Sequence, residues 1–200
     1  PSFELWLLGF GLFLVLLFFW KFAFTNLIPA RGDTFLYFYP YWDYRAQTLL
    51  AGHLPLWNPY LFMGAPFLAN SQTGALYPLN WPLVGFSAPV AVKVSIVAHL
   101  AIAFIGAYRF ARRRLGQSAL AALLSAALFA LGGYLTSQVE HINQLQALAW
   151  FPWLLSAIHN TQYAIRKRPA GYFVLSIVYS MQLLAGHTQS AFISLVGAIL

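Results

Sequence analysis

Apolar residues run along this chain in long blocks separated by short polar islands, and block length is the first guide to the fold. Residues 5–24, "LWLLGFGLFLVLLFFWKFAF", carry one charge, Lys21, close enough to the end to reach the interface. Further blocks cover 89–108, 118–136, 145–163, 171–186 and 190–200. An α-helix rises about 1.5 Å per residue, so roughly 20 apolar residues cross a hydrocarbon layer of about 30 Å. The pattern predicts an all-α, polytopic transmembrane helix bundle of about six spans. The small residues of 118–136 permit close helix packing. Pro152 predicts a kink in the fourth span, because it lacks an N–H and crowds the preceding turn.

Residues 25–88 break the pattern. A structureless loop of this length is improbable in a compact domain. Eight of the eleven prolines fall between positions 29 and 89 and divide it into short helices and turns. "YPYWDYRAQTLLAG" predicts a helix opening with Pro40 in its first turn and closing at Gly52. Its aromatics suit a membrane–water interface. We therefore expect short interfacial helices lying on the membrane rather than a soluble domain. Residues 1–200 form one transmembrane domain on this reading. The chain begins at Pro1 and stops at Leu200 inside an apolar run, so we expect it to be part of a longer polypeptide.

Composition and charge sharpen the picture. The chain is 60% hydrophobic and 8% charged, with a mean hydropathy of +0.68, against about 25% charged in soluble domains. Without cysteine it has neither disulfides nor thiolate metal ligands. A net charge of +7 raises the question of nucleic acid. The placement of the cations argues against it. Arg109, Arg112, Arg113 and Arg114 lie between the second and third blocks, and Arg166, Lys167 and Arg168 between the fourth and fifth. Alternating spans put both clusters on one side, which the positive-inside rule assigns to the cytoplasm. The loop 25–88, the connection 137–144 and the turn at His187 then face outward.

Only four residues are acidic, and Asp33, Asp43 and Glu140 all fall on that outer side. Asp33 admits two readings: the N-cap of the helix that follows it, or a functional carboxylate at the bundle mouth. Asp43 reads as a solvated helix-surface charge near Arg45. "TSQVEHINQLQ" is a dense polar island holding Glu140 and His141. His187 and Gln189 in "GHTQS" read either as ligand contacts or as a polar turn at a helix end. His99 lies mid-span, where it either bonds a neighbouring helix or ligates a cofactor such as a tetrapyrrole. Scarcity of acids on one face predicts that Asp33 meets Glu140 or His141 at the outer mouth.

"GDTFLYFYPYWDY", "GHLPLWNPYLFMGAPFLANSQTGALYPLNWPL", "HINQLQALAWFPW" and "GHTQSAF" occur in that order between Gly32 and Phe192. Together they resemble the bacterial YfhO-like membrane proteins, which are of the GT-C glycosyltransferase type. The resemblance implies a helical membrane bundle with a large first outer loop and an acidic residue near its start; Asp33 matches that place. It implies transfer of a hexosyl or pentosyl group from a polyprenyl-phosphate donor, on the extracytoplasmic side of the bacterial cytoplasmic membrane. Asp33 would then act as the base. Arg31, Arg45, His53 and Lys93 are candidates to neutralise the donor phosphate, with Glu140, His141, His187 and Gln189 as further substrate contacts. Asp33, Glu140 and His141 are candidates to hold a divalent cation, magnesium or manganese by ligand type. The expected partners are membrane lipid, the lipid-linked donor and other members of a membrane complex, not nucleic acid. The alternative is a non-catalytic or cofactor-holding helical subunit of such a complex.

Overall fold

A computed structural model describes residues 2–30, 32–164 and 170–199. Arg31, Arg166, Lys167 and Arg168 lie outside the described residues. Helices occupy all six apolar blocks. The first is α1 (Ser2–Phe18) followed by α2 (Trp20–Phe24). After the outer segment come α4 (Ala88–Arg113) and α5 (Ala119–Ala130). Short α6 (Gly133–Ser137) follows, and then α7 (Ile142–Ala149), α8 (Phe151–Ala164), α9 (Ala170–Leu184) and α10 (Thr188–Ile199). In the outer segment, α3 (Tyr39–Leu50) is the main helix.

Several blocks are interrupted, which changes the count of crossings. Among the described residues two helical stretches, Ala88–Arg113 and Ala119–Glu140, are long and apolar enough to cross a membrane. The first block breaks at Phe19, whose ring turns inward between Phe18 and Phe22 at centroid distances of 5.1 and 5.8 Å. The fourth breaks at Trp150, between α7 and α8, one residue before Phe151 and two before Pro152. An interruption there fits a residue that cannot donate to the preceding turn. Large apolar side chains stay on the outside of the bundle. Leu120, Leu124 and Leu128 make an exposed stripe at helical spacing on α5, and Trp6, Phe173 and Phe192 are exposed on α1, α9 and α10. A water-soluble domain rarely leaves apolar surface of that extent uncovered.

The bundle is built around α4. Its Ile96, Leu100 and Phe104 are fully buried, together with Ala122 and Ala126 of α5, Leu145 of α7 and Leu154 of α8. Two glycines set the crossings. A side chain at Gly11 would run into the Phe104 ring, and one at Gly106 into the Trp153 indole. Trp153 seals the second crossing by donating from Nε1 to the Ile102 carbonyl at 3.0 Å. At the far end of α4, Arg112 Nε donates to Glu4 Oε1 at 2.9 Å, so the start of α1 and the end of α4 share one end of the bundle.

The outer segment is a string of short elements, as its prolines require. Thr34–Phe38 is a π-helical turn that runs directly into α3. Helix α3 ends where Gly52 predicts: Gly52 is left-handed (φ +79°), its N–H bonds the Leu49 carbonyl, and the His53 N–H bonds the Thr48 carbonyl. These two bonds close a Schellman motif. The all-α expectation has one small exception, an antiparallel ladder pairing Trp57 with Pro66 and Asn58 with Ala65.

A buried chain of polar groups fastens this segment to the bundle. His99 sits at its inner end. Its Nδ1 lies 2.7 Å from the Ser95 carbonyl, which can only accept, so Nδ1 carries the proton and Nε2 accepts. The Tyr77 hydroxyl therefore donates to His99 Nε2 at 2.7 Å and accepts from Trp150 Nε1 at 2.8 Å. Gln146 Nε2 donates both to Ser95 Oγ and to Asn80 Oδ1, each at 2.9 Å. Asn80 Nδ2 donates to the Gly74 carbonyl at 3.1 Å, and Arg45 donates to the Thr73 and Gly74 carbonyls at 2.8 and 3.4 Å. Residues from α3, the 73–80 turn, α4, α7 and the α7–α8 junction thus form one network. An unpaired buried polar group costs about 1–3 kcal/mol, so the network resists partial disassembly. Tyr77→Phe removes one hydroxyl and strands both His99 Nε2 and Trp150 Nε1. We expect a loss of about 2–4 kcal/mol, read as a lowered unfolding midpoint in detergent, whereas Tyr60→Phe, at an exposed hydroxyl, leaves the midpoint in place.

Candidate functional site

The site is built where the outer segment returns to the bundle. Asp33 opens the helical run that continues into α3, yet its side chain makes no capping bond to the amides that follow. Its Oδ2 lies 3.6 Å from His141 Nε2, within ion-pair range and beyond hydrogen-bond range. The Thr34 hydroxyl donates to the Glu140 carbonyl at 3.3 Å. Gly32 lies against the Glu140 carboxylate: a Cβ there would stand 2.9 Å from Oε2, and its φ of +54° favours glycine in any case. Residues 32–34 therefore meet 140–141 across more than a hundred positions of sequence. The side chains of Asp33 and His141 are 62% and 49% exposed, so a solute can reach the pair.

His187 closes the rim from the α9–α10 turn. The Ser190 N–H donates to its Nδ1 at 3.1 Å, so the ring caps α10 and holds its own proton on Nε2. Burial first, and then the nearby His141, push the His187 pKa below its ordinary value. Gln189 is exposed in the first turn of α10. The polar-turn reading of "GHTQS" thus describes His187 as a helix cap, while its ring still borders the rim.

The other residues singled out from sequence are dispersed. Arg45 requires a correction. It is 1% exposed, gives Nη1 to the Thr73 and Gly74 carbonyls while its buried Nε has no hydrogen-bond partner, and stacks its guanidinium 4.3 Å from the Trp42 ring. It cannot meet a substrate phosphate, because the face of α3 that carries it is turned into the protein. Burial lowers its pKa to about 10, which leaves it charged at neutral pH. Asp43 is exposed, as expected, but its partner is Gln47 Nε2 at 2.8 Å rather than Arg45. His53 is exposed just past the end of α3. Lys93 donates to the Thr25 carbonyl at 2.8 Å and lines a groove of about 420 Å³. The rest of that groove is apolar: Leu16, Phe22, Ala23, Phe24, Val90, Val94, Val97 and Ala98.

Among the described residues, no three His, Asp or Glu side chains gather into a set that can hold a metal ion. Asp33 faces His141 while Glu140 is turned to Gly32, so the three carboxylate and imidazole groups do not converge on one point. His99 has both ring nitrogens engaged, with Ser95 and Tyr77, and offers no lone pair to a cofactor. No family model, curated protein or solved structure matches this chain.

Sequence reasoning missed Tyr77, Asn80 and Gln146, because a tyrosine or amide in a polar island looks the same whether it is solvated or buried. What the rim offers chemically is an accessible carboxylate, able to accept a proton, beside an imidazole that can hold it in place or share its charge. The cap at His187 carries a pH signature. As pH falls through about 6.5 the unfolded chain takes up a proton at this histidine, whereas the folded ring must first give up the Ser190 bond. Stability contributed by the neutral ring is present above that pH and lost below it. His187→Asn keeps a capping side chain without the titration. Denaturation of both proteins at pH 7 and pH 5 should show a smaller acid-side loss in His187→Asn; equal losses would mean that His187 is not held neutral.

Proposed function

We propose that this chain is the N-terminal part of an integral membrane glycosyltransferase of the GT-C type, with Asp33 as its base. The observation that carries the proposal is the state of Asp33. Its carboxylate is exposed and uncapped, and it faces His141 instead of serving its own helix. A residue conserving a helix end would have done the opposite.

In the proposed reaction an acceptor hydroxyl loses its proton to Asp33 as its oxygen bonds the anomeric carbon. The bond from that carbon to the phosphate oxygen breaks, and polyprenyl phosphate leaves with the electron pair. A phosphate is already a good leaving group, so one carboxylate suffices and no strong acid is required. His141 orients the carboxylate and, when protonated, balances the negative charge it carries before it takes the proton. The Lys93 groove supports the lipid-linked donor. Its apolar walls suit a prenyl chain, and an ammonium with donors left over after the Thr25 carbonyl suits a phosphate. The proposal places the rim on the extracytoplasmic side of a bacterial cytoplasmic membrane and the Arg112–Arg114 end in the cytoplasm. It also takes the six helical blocks as six crossings.

Asp33→Asn tests the assignment. Asparagine keeps the size and caps a helix about as well, but it cannot take a proton near neutral pH. With polyprenyl-phosphate sugar donors and the full-length protein, we expect Asp33→Asn to lower the transfer rate on the order of a hundredfold or more, without loss of folded protein. Asp43→Asn should be mild. Near-normal transfer by Asp33→Asn with loss in Asp43→Asn would name the wrong aspartate. Retention by both would make the acids of this segment structural.

A further inference from the structure

At the opposite end of the bundle from Asp33, a pocket of about 190 Å³ opens between α4, α8 and α9. Three guanidinium side chains line it, Arg109, Arg113 and Arg114, with Ser156 and Asn160 beside them. Arg109 lies 5.7 Å from the centroid of the Trp153 ring, which holds it toward the pocket. The remaining wall is Trp153, Ala157, Val174 and Val178.

Among the described residues none of these three arginines is in an ion pair. Of the four carboxylates, Glu4 is engaged with Arg112, and Asp33, Asp43 and Glu140 belong to the other end. The C-terminus of α4 supplies only about half an elementary negative charge through its dipole, against three full positive ones. The topological rule explains why arginines lie on this side. It does not explain why three of them face one concave site with an unpaired amide, Asn160, among the described residues. The pocket is smaller than the roughly 300–1,000 Å³ typical of drug-sized ligands, so it suits a single phosphate group rather than a nucleotide. Its outer wall runs into the apolar surface of α9, where Val174 and Ile177 are about half exposed and Phe173 more so. A ligand with a phosphate head and an apolar tail would match both parts.

We propose that the Arg109–Arg113–Arg114 pocket binds the phosphate headgroup of an anionic membrane phospholipid, its acyl chains lying along α9. The proposal rests on the membrane placement of the bundle and not on the transferase reaction. Guanidinium forks bind phosphate oxygens in pairs, which a lysine cluster does less well, and basic pockets between helices on this side of a membrane are suited to such headgroups.

The test uses the purified chain in neutral detergent, with phosphatidylglycerol, phosphatidylcholine and inorganic phosphate added separately and bound lipid counted by native mass spectrometry. We expect saturable retention of about one phosphatidylglycerol, at least tenfold preferred over phosphatidylcholine, and displaced by inorganic phosphate only at far higher concentration. The triple variant Arg109→Gln, Arg113→Gln, Arg114→Gln should lose that preference. Because neutralising these arginines can disturb insertion, Val174→Glu provides a second arm: it leaves every arginine in place and puts a carboxylate at the pocket mouth. It should also weaken retention tenfold or more. Unchanged phosphatidylglycerol binding in Val174→Glu, or equal binding of both lipids by the unaltered chain, would overturn the proposal. Inorganic phosphate binding as tightly as the lipid would overturn its membrane source.

Discussion

The buried polar chain from Arg45 through Gly74, Asn80, Gln146, Ser95 and His99 to Tyr77 and Trp150 is the constraint on which the arrangement of this protein depends. Apolar packing alone holds helices together without fixing where a long proline-rich segment lies on them. Hydrogen bonds with complementary donors and acceptors do fix it, because a shifted register leaves several buried groups unpaired at once. Each member has one role: Gln146 uses both amide hydrogens, Asn80 accepts and donates, and His99 is held in one tautomer by the Ser95 carbonyl. The outer segment is therefore part of the core rather than an appendage to it.

The rim follows from that anchorage. Once α3 is pinned through Arg45, the turn that precedes it can reach the 138–141 connection, and Gly32, Asp33 and Thr34 fall against Glu140 and His141. The two ends of the bundle are then chemically distinct. One gathers carboxylates and imidazoles, among them the accessible pair Asp33 and His141. The other gathers arginines, with Glu4 tied to Arg112. Asp33, Asp43 and Glu140 thus lie at one end, and Glu4 with Arg109, Arg112, Arg113 and Arg114 at the other.

Much of this was legible in the residues. Apolar block length located the helices, Pro152 and Gly52 marked a break and a stop, and the scarcity of acids pointed to the meeting of Asp33 with His141. Two kinds of feature were not legible. The break at Phe19 depends on which way a ring turns once neighbours are in place, and hydropathy is blind to that. The inward face of α3 was equally hidden. "YPYWDYRAQTLL" has aromatics around its whole circumference, so no stripe marks the buried side, and Arg45 looked like a surface cation. Tyr77, Asn80 and Gln146 were hidden for a related reason: their partners come from three separate stretches, and a hydrogen bond leaves no periodicity in sequence.

The central claim is that one polar network couples the outer segment to the bundle and holds the rim in place. Amide hydrogen exchange of Gln146→Leu in detergent tests it most directly. Leucine fills nearly the same volume but gives Asn80 and Ser95 no donor. The account predicts faster exchange at 71–83 and, together with it, at 34–50, while α4 and α5 keep their protection. Exchange that stays unchanged in both outer stretches, or rises only beside residue 146, would contradict it.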